Sequence, residues 1–373
     1  MSLLSEAENN VMLRRRKAVA WWLLAGVAII MIQVLLGGIT RLTGSGLSIA
    51  EWKPILGVLP PMNEQAWNAA FDLYKEKAAG QFASQNSDYT LSDFKAIYFW
   101  EWMHREWARV VLSGVFLVGF FYFLAKKYFE KWMVQPMIWL FVLGGLQGAV
   151  GWIMVMSGLN PEDTHVSHIT LAMHFMFALV LLCYTFWFAL KLLIPETNRL
   201  SNDKLKSFSL VLLILLGVQL VYGAFMAGLK AAPAAATWPD VNGTYMPENV
   251  NSFGAQTYIG LQVIIDNPIM VHYIHRTMAY LLFVLVIVWF AKSKRIAKAE
   301  GSSLLNRASV WTIVLISIQI LLGIVTVLNG HLMTQNKFLQ FEWFAELHQM
   351  VAICLLMNLV LNYFLFKKKI VVL

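Results

Sequence analysis

His104, His174, His275 and His348 each stand near the same end of a long apolar segment and fall into two matching pairs about 170 residues apart. Ionisable side chains inside such segments are costly and usually functional. Zinc would want Cys or carboxylate partners, or a third His, at matching spacing. Haem needs only two opposed imidazoles in a bundle core, so the pattern points to two haem sites. The plainer alternative, four polar residues each satisfied by a neighbour, has to explain why they recur in duplicate at one depth. The other histidines read as interfacial polar residues: His165 and His168 at the start of the fourth segment, and His331 at a loop start. His272, one turn before His275 on the same helix face, is the strongest candidate for an exception.

Glu101 breaks the symmetry. Glu101, His104, Arg105 and Ala108 follow the i, i+3, i+4, i+7 pattern of one helix face, and the repeat partner of Glu101 is His272, not an acid. A carboxylate one turn above an axial ligand can act on a haem edge. The competing role is an ion pair with Arg105 or Arg109. Arg105 and Arg276 directly follow the paired histidines, and a guanidinium suits a haem propionate, as it also suits a plain interfacial anchor.

The elements that must position these residues are membrane helices. Of 373 residues 59% are hydrophobic and 13% charged, and the mean hydropathy is +0.62, which excludes an ordinary soluble domain. Runs of about 20 apolar residues cross a bilayer core about 30 Å thick. Eight are predicted, at 18–40, 104–125, 134–156, 167–190, 207–229, 270–291, 308–329 and 344–366. Ser92, followed by Asp93, is the expected cap of a second helix that projects some three turns beyond the membrane. Fifteen Trp, including Trp52, Trp100, Trp102, Trp107 and Trp343, gather largely at segment boundaries as an aromatic belt.

The net charge of +8 lies in alternate connections, not in a nucleic-acid patch. Arg14 to Lys17, Lys126 to Lys131, Lys191 to Lys206, Lys292 to Arg307 and Lys367 to Lys369 hold most of the basic residues. The positive-inside bias then puts both termini in the cytoplasm and the long connections, 42–98 and 230–269, outside. Cys183 and Cys354 fall inside segments, so no disulfide is expected in the outer loops. Glu6, Glu8 and the long first apolar run read as a retained helix, neither a cleavable signal nor a transit peptide, and favour a bacterial inner membrane.

The halves repeat. Gln33 and Gly37 answer to Gln219 and Gly223, His104-Arg105 to His275-Arg276, Gln147 and Gly151 to Gln319 and Gly323, and His174 to His348. Each half has an even number of segments, so the repeat is parallel. The expected architecture is all-α: two pseudo-twofold related four-helix bundles, residues 1–195 and 196–373. The four histidines lie 17 to 22 residues from the next cytoplasmic lysine, Lys126, Lys191, Lys292 and Lys367. That is roughly 26 to 33 Å, so both pairs sit near the outer face.

The first outer loop runs from Gly37-Gly38-Ile39-Thr40-Arg41-Leu42-Thr43-Gly44-Ser45-Gly46 through Trp52, Pro54 and Gly57 to Pro60-Pro61. Beyond it, Asn63 can cap a short helix whose Trp67, Phe71 and Tyr74 form an apolar stripe, lying on the membrane or roofing the first bundle. With Glu101 to Arg105 and Arg109, Thr237-Trp238-Pro239, Asn242-Gly243, His275-Arg276 and His348-Gln349, this loop makes the chain resemble the heme A synthase family over nearly its whole length. It is most similar to the branch shared by mitochondria and many bacteria. Other bacterial members carry a cysteine pair in the first outer loop, which this chain lacks.

The resemblance implies a haem b cofactor between His275 and His348, and the substrate haem O between His104 and His174. It also implies an oxidoreductase that oxidises the methyl at ring position 8 of haem O to a formyl group, giving haem A for terminal oxidases. Two hydroxylations and loss of water would do this. Ligation by both His104 and His174 leaves no position for O2, so either one ligand is labile or oxidation proceeds by electron removal. Glu101 is the candidate catalytic residue, and Arg41, Arg105, Arg109 and Arg276 are candidate propionate contacts. Candidate partners are the bilayer, haem O synthase as donor, an electron donor and further copies of the chain. The rival reading is a di-haem electron carrier of the cytochrome b kind. Such carriers place their haems at two depths, whereas both pairs here share one. A haem transporter would have no use for Glu101.

Overall fold

The computed structural model describes residues 3–51, 59–334 and 337–367. Trp52, Pro54 and Gly57 of the first loop, and Lys368 and Lys369, lie outside the described residues. Among the described residues eight helices are long and apolar enough to cross a membrane: Glu8–Leu42, Leu91–Ala125, Lys131–Met156, His168–Leu193, Asp203–Gly228, Pro268–Ala299, Ser303–Leu328 and Gln340–Leu365. They are called here the first to eighth spans. The protein is an all-α integral membrane protein, and the described strands are two-residue pairings in loops.

In each half the last span packs along the first and third, fourth on first and third, eighth on fifth and seventh. Between halves the fourth packs on the fifth, the eighth on the first, and the fourth meets the eighth. Exchanging the halves turns the first of these contacts into the second and leaves the third unchanged, as a twofold relation requires. The shared core is largely apolar, from Leu23, Val27 and Ile30 through Leu179 and Leu182 to Leu355 and Leu359.

Local chemistry explains the ends of the helices. The second span starts at Leu91, and its cap is Thr90 rather than the expected Ser92. Asp93 sits three residues after the cap and returns a bond to the Thr90 backbone N–H, closing a capping box that Ser92 could not make with it. Asn63 caps the helix Glu64–Lys77 by accepting from the Ala66 N–H at 2.8 Å. Phe71 and Tyr74 of that helix pack on Phe94 and Ile97 of the projecting second span and, with Leu47, on Val155 of the third. Of the two positions weighed for the stripe, this is the roof. At the opposite end Arg16 makes a bidentate pair with Glu130 at 2.6 and 2.7 Å, tying the first span to the turn between second and third.

One irregularity has no counterpart in the other half. From Trp107 to Leu112 the second span winds as a π-helix, three residues past His104. A π-turn accommodates one extra residue. Before it, His104 matches His275 at an offset of 171; after it, Leu112, Phe116, Gly119 and Phe123 repeat the spacing of the buried Leu282, Val286, Trp289 and Ser293 at 170. The π-turn lets the second span reset its packing face below the histidine.

Candidate haem sites

One cavity of about 940 Å³ is lined by all four histidines. Each is framed by a glutamine and a glycine one turn apart on the neighbouring helix. A Cβ added at Gly37 would stand 3.0 Å from His104, at Gly151 2.8 Å from His174, at Gly223 3.3 Å from His275 and at Gly323 3.0 Å from His348. A Cβ at Gly151 would force the His174 ring to move, and one at Gly37, Gly223 or Gly323 would press the ring by a few tenths of an ångström, so glycine leaves each ring its place. Gln33, Gln147 and Gln219 donate Nε2–H to the backbone carbonyls of His104, His174 and His275 at 3.0, 3.2 and 3.0 Å. Gln319 reaches the His348 ring at 3.2 Å, and His348 Nδ1 donates to the Gln319 carbonyl at 3.1 Å. Since a carbonyl can only accept, His348 carries its proton on Nδ1, and its Nε2 accepts from the Gln319 Nε2–H, a bond that a metal at Nε2 would replace. The sequence displays these Gln and Gly positions as a repeat; their service to the histidines is visible only in space.

The pairs differ in geometry. His275 and His348 face each other with ring centroids 6.4 Å apart. Two metal–imidazole bonds of about 2 Å, plus roughly 1 Å from each nitrogen to its ring centre, give about 6 Å. The C-terminal pair therefore fits a haem iron. His104 and His174 line the same cavity without such a ring contact.

Glu101 is buried, 2% exposed, and borders the cavity. Its Oε2 accepts from Ser48 Oγ and the Ile49 N–H, both at 2.7 Å, and its Oε1 accepts from Arg105 Nη2 at 2.5 Å. The ion pair weighed for it is thus formed with Arg105, while Arg109 pairs with Glu106. Arg105 also donates to the carbonyls of Ile49 and Glu51 at 2.6 and 3.1 Å. Its repeat partner Arg276 donates to the carbonyls of Ala235 and Asp240 at 2.5 and 2.7 Å. Each half thus uses the arginine after its first histidine to clamp its own loop over the cavity. Arg41, Arg105, Arg109 and Arg276 all line the cavity; Arg41 Nη1 lies 3.5 Å from the Ala227 carbonyl.

His165 lines the cavity and bonds Thr164 at 2.7 Å. Burial, then Lys230, holds its pKa below the usual histidine range. His168 faces Asp266 at 3.1 Å, and His272 is fully buried away from the cavity lining. Sequence reasoning passed over Glu346, two residues before His348 and 2% exposed. It packs where Gly38 leaves room, a Cβ there falling 2.0 Å from its Oε2. An acid within an apolar segment was signal enough to single it out.

The fold and the cavity define a helical membrane protein with two imidazole pairs in one cavity, one pair at a spacing that an iron would fit. Residues 20–360 match the family described as cytochrome oxidase assembly protein. The chain is 38% identical to a heme A synthase of Flavobacterium johnsoniae over 320 residues, 85% of this chain and 91% of that one. It is 38% identical to that of Parvibaculum lavamentivorans over 311 residues (83% and 86%) and 37% identical to that of Paracoccus denitrificans over 320 residues (84% and 81%). The chain belongs to the heme A synthase family.

Proposed function

We propose that this protein oxidises the C8 methyl of haem O to a formyl group, producing haem A for a terminal oxidase, with the substrate between His104 and His174. The observation that carries this reading is the unequal pair of sites in one cavity: a C-terminal pair at iron-clamping distance, and an N-terminal pair bordered by Glu101. Haem b held by His275 and His348 would supply a one-electron redox centre. The glycine walls and glutamine contacts set the imidazoles, and the arginine-clamped loops keep water from the cavity mouth. Glu101, fixed by three donors, is an acceptor in a preset position. It stabilises positive charge or takes a proton at the substrate edge, rather than giving one up.

The reading extends to a bacterial inner membrane with both termini cytoplasmic, supported by the basic loops opposite the histidine end. It requires an electron-transfer partner and a haem O donor, with haem O synthase the natural source. Arg41, Arg105, Arg109 and Arg276 are the donors available to propionates. The test is to extract the haems of the purified protein and separate them chromatographically. Haem b together with haem O, an alcohol intermediate or haem A is expected; haem b alone, under conditions of haem O supply, would return the protein to the electron-carrier reading.

A further inference from the structure

The wall of the cavity differs between halves at one repeated place. On the seventh span Ile316 and Ile320 line it, and Ile316 is 3% exposed. The third span has Gly144 and Gly148 at those positions, and both line the cavity while being exposed on the outside of the protein. A Cβ added at Gly144, Gly145 or Gly148 would meet nothing within 4 Å. These glycines are therefore not there for close helix packing, unlike Gly151, which abuts His174.

The facing wall is the π-turn. Ala108 and Leu112 of that turn, with Ser113 after it, line the same cavity one to two helical turns from His104. Gly144 to Gly148 lie at the matching depth, one to two turns from Gly151. Further from the histidines the gap closes. Phe141 of the third span meets Phe116 and Phe120 of the second, with ring centroids 4.9 and 5.1 Å apart. Along the rest of their length the second and third spans do not pack as the sixth and seventh do. The N-terminal bundle thus has a slot in its side, bounded below by three phenylalanines and opening from the cavity toward lipid.

We propose that this slot holds the isoprenoid chain of the haem substrate while its ring lies between His104 and His174. The inference rests on the function proposed above, which puts haem O in this bundle. Haem O carries a long isoprenoid chain that haem b lacks, and such a chain loses nothing by lying in hydrocarbon. An opening confined to the substrate bundle separates the two haems by their one large chemical difference. The resident haem b, with no chain to lodge, sits behind the isoleucines. Gln147, between the glycines, has a buried Oε1 without a partner, as Gln33, Gln219 and Gln319 also have, so this acceptor is common to both bundles and the open wall alone sets the slot apart.

The test installs the seventh-span residues in the third, as Gly144→Ile with Gly148→Ile; the open space at both sites lets the helix fold. Detergent-purified wild type and variant are loaded with haem O and, separately, with protohaem. The variant should keep its resident haem b and take up haem O at least tenfold more slowly, with protohaem uptake changed less than twofold. Equal haem O uptake by the two proteins would overturn the proposal, as would equal slowing of both haems. A benzophenone-tagged farnesol in phosphatidylcholine nanodiscs gives a readout independent of turnover. Crosslinks should map to the peptides around Gly148 and Ser113 in wild type and vanish in the variant. Labelling of the Ile316–Ile320 region to the same extent would overturn the slot. If haem O is never oxidised by wild type but crosslinks map to the slot, the proposed reaction fails and the slot stands. If the variant makes haem A at the wild-type rate, the slot fails and the reaction stands.

Discussion

The two bundles are built from one repeated plan, and they differ where an occupant that stays would differ from one that comes and goes. The C-terminal bundle holds its histidine ring centroids 6.4 Å apart, at an iron-spanning distance, and closes its wall with Ile316 and Ile320. The N-terminal bundle has a π-turn, a glycine-lined gap, a projecting second span and a roof helix. The indole that fills each half even comes from opposite helices. Trp289 of the sixth span is fully buried and donates to Ser209 of the fifth at 2.9 Å. In the first half Gly119 of the second span makes room for Trp22 of the first, a Cβ there falling 2.1 Å from its Nε1. A duplicated fold keeps its ligand positions while the surroundings diverge, because axial geometry is fixed by the metal and wall geometry is not.

The comparison breaks most visibly at the histidines. His275→Ala or His348→Ala should remove nearly all resident haem b and abolish haem A formation, whereas His104→Ala should leave haem b in place. Pyridine haemochrome spectra measure this, and full haem b content in His275→Ala would end the division of labour. Glu101→Ala should retain haem but lower the haem A yield by about 100-fold or more; a normal yield would remove Glu101 from the chemistry. Trp289→Ala should cost about 3 to 5 kcal/mol of stability by emptying a sealed interior. Val118→Ala, at a side chain 72% exposed in the open bundle, should cost under about 0.5 kcal/mol. Comparable losses in melting temperature for the two variants would show that the halves are equally packed. Thr90→Ala should cost about 1 kcal/mol by opening the capping box. Its effect should be confined to the projecting end of the second span, read as faster amide exchange there.

Much of the fold was legible because lipid imposes simple rules. Eight apolar runs became eight spans, and the Asn63 cap with its Trp67, Phe71 and Tyr74 stripe became the roof helix. The helix start at Ser92 was misplaced by two residues: the pairing of Thr90 with Asp93 is a reciprocal bond, and a list of good capping residues does not reveal which of two will close it. The π-turn was invisible because Trp107 to Leu112 reads as ordinary helical sequence; only the packing of Leu112, Phe116 and Gly119 on the first span demands the extra residue.

The candidate site divides along the same line. His104, His174, His275 and His348 stood out because a polar ring in an apolar run has few other reasons to exist. The sequence by itself therefore determined the membrane class and the repeated Gln, Gly and His positions, all of which follow from composition and one-dimensional spacing. Tertiary structure alone decided that Gly151 guards an imidazole while Gly148 opens a wall, and that Glu101 binds Ser48, Ile49 and Arg105 at once. A glycine or a carboxylate has the same identity wherever it stands, and its work is set by the atoms that distant parts of the chain bring within a few ångströms of it.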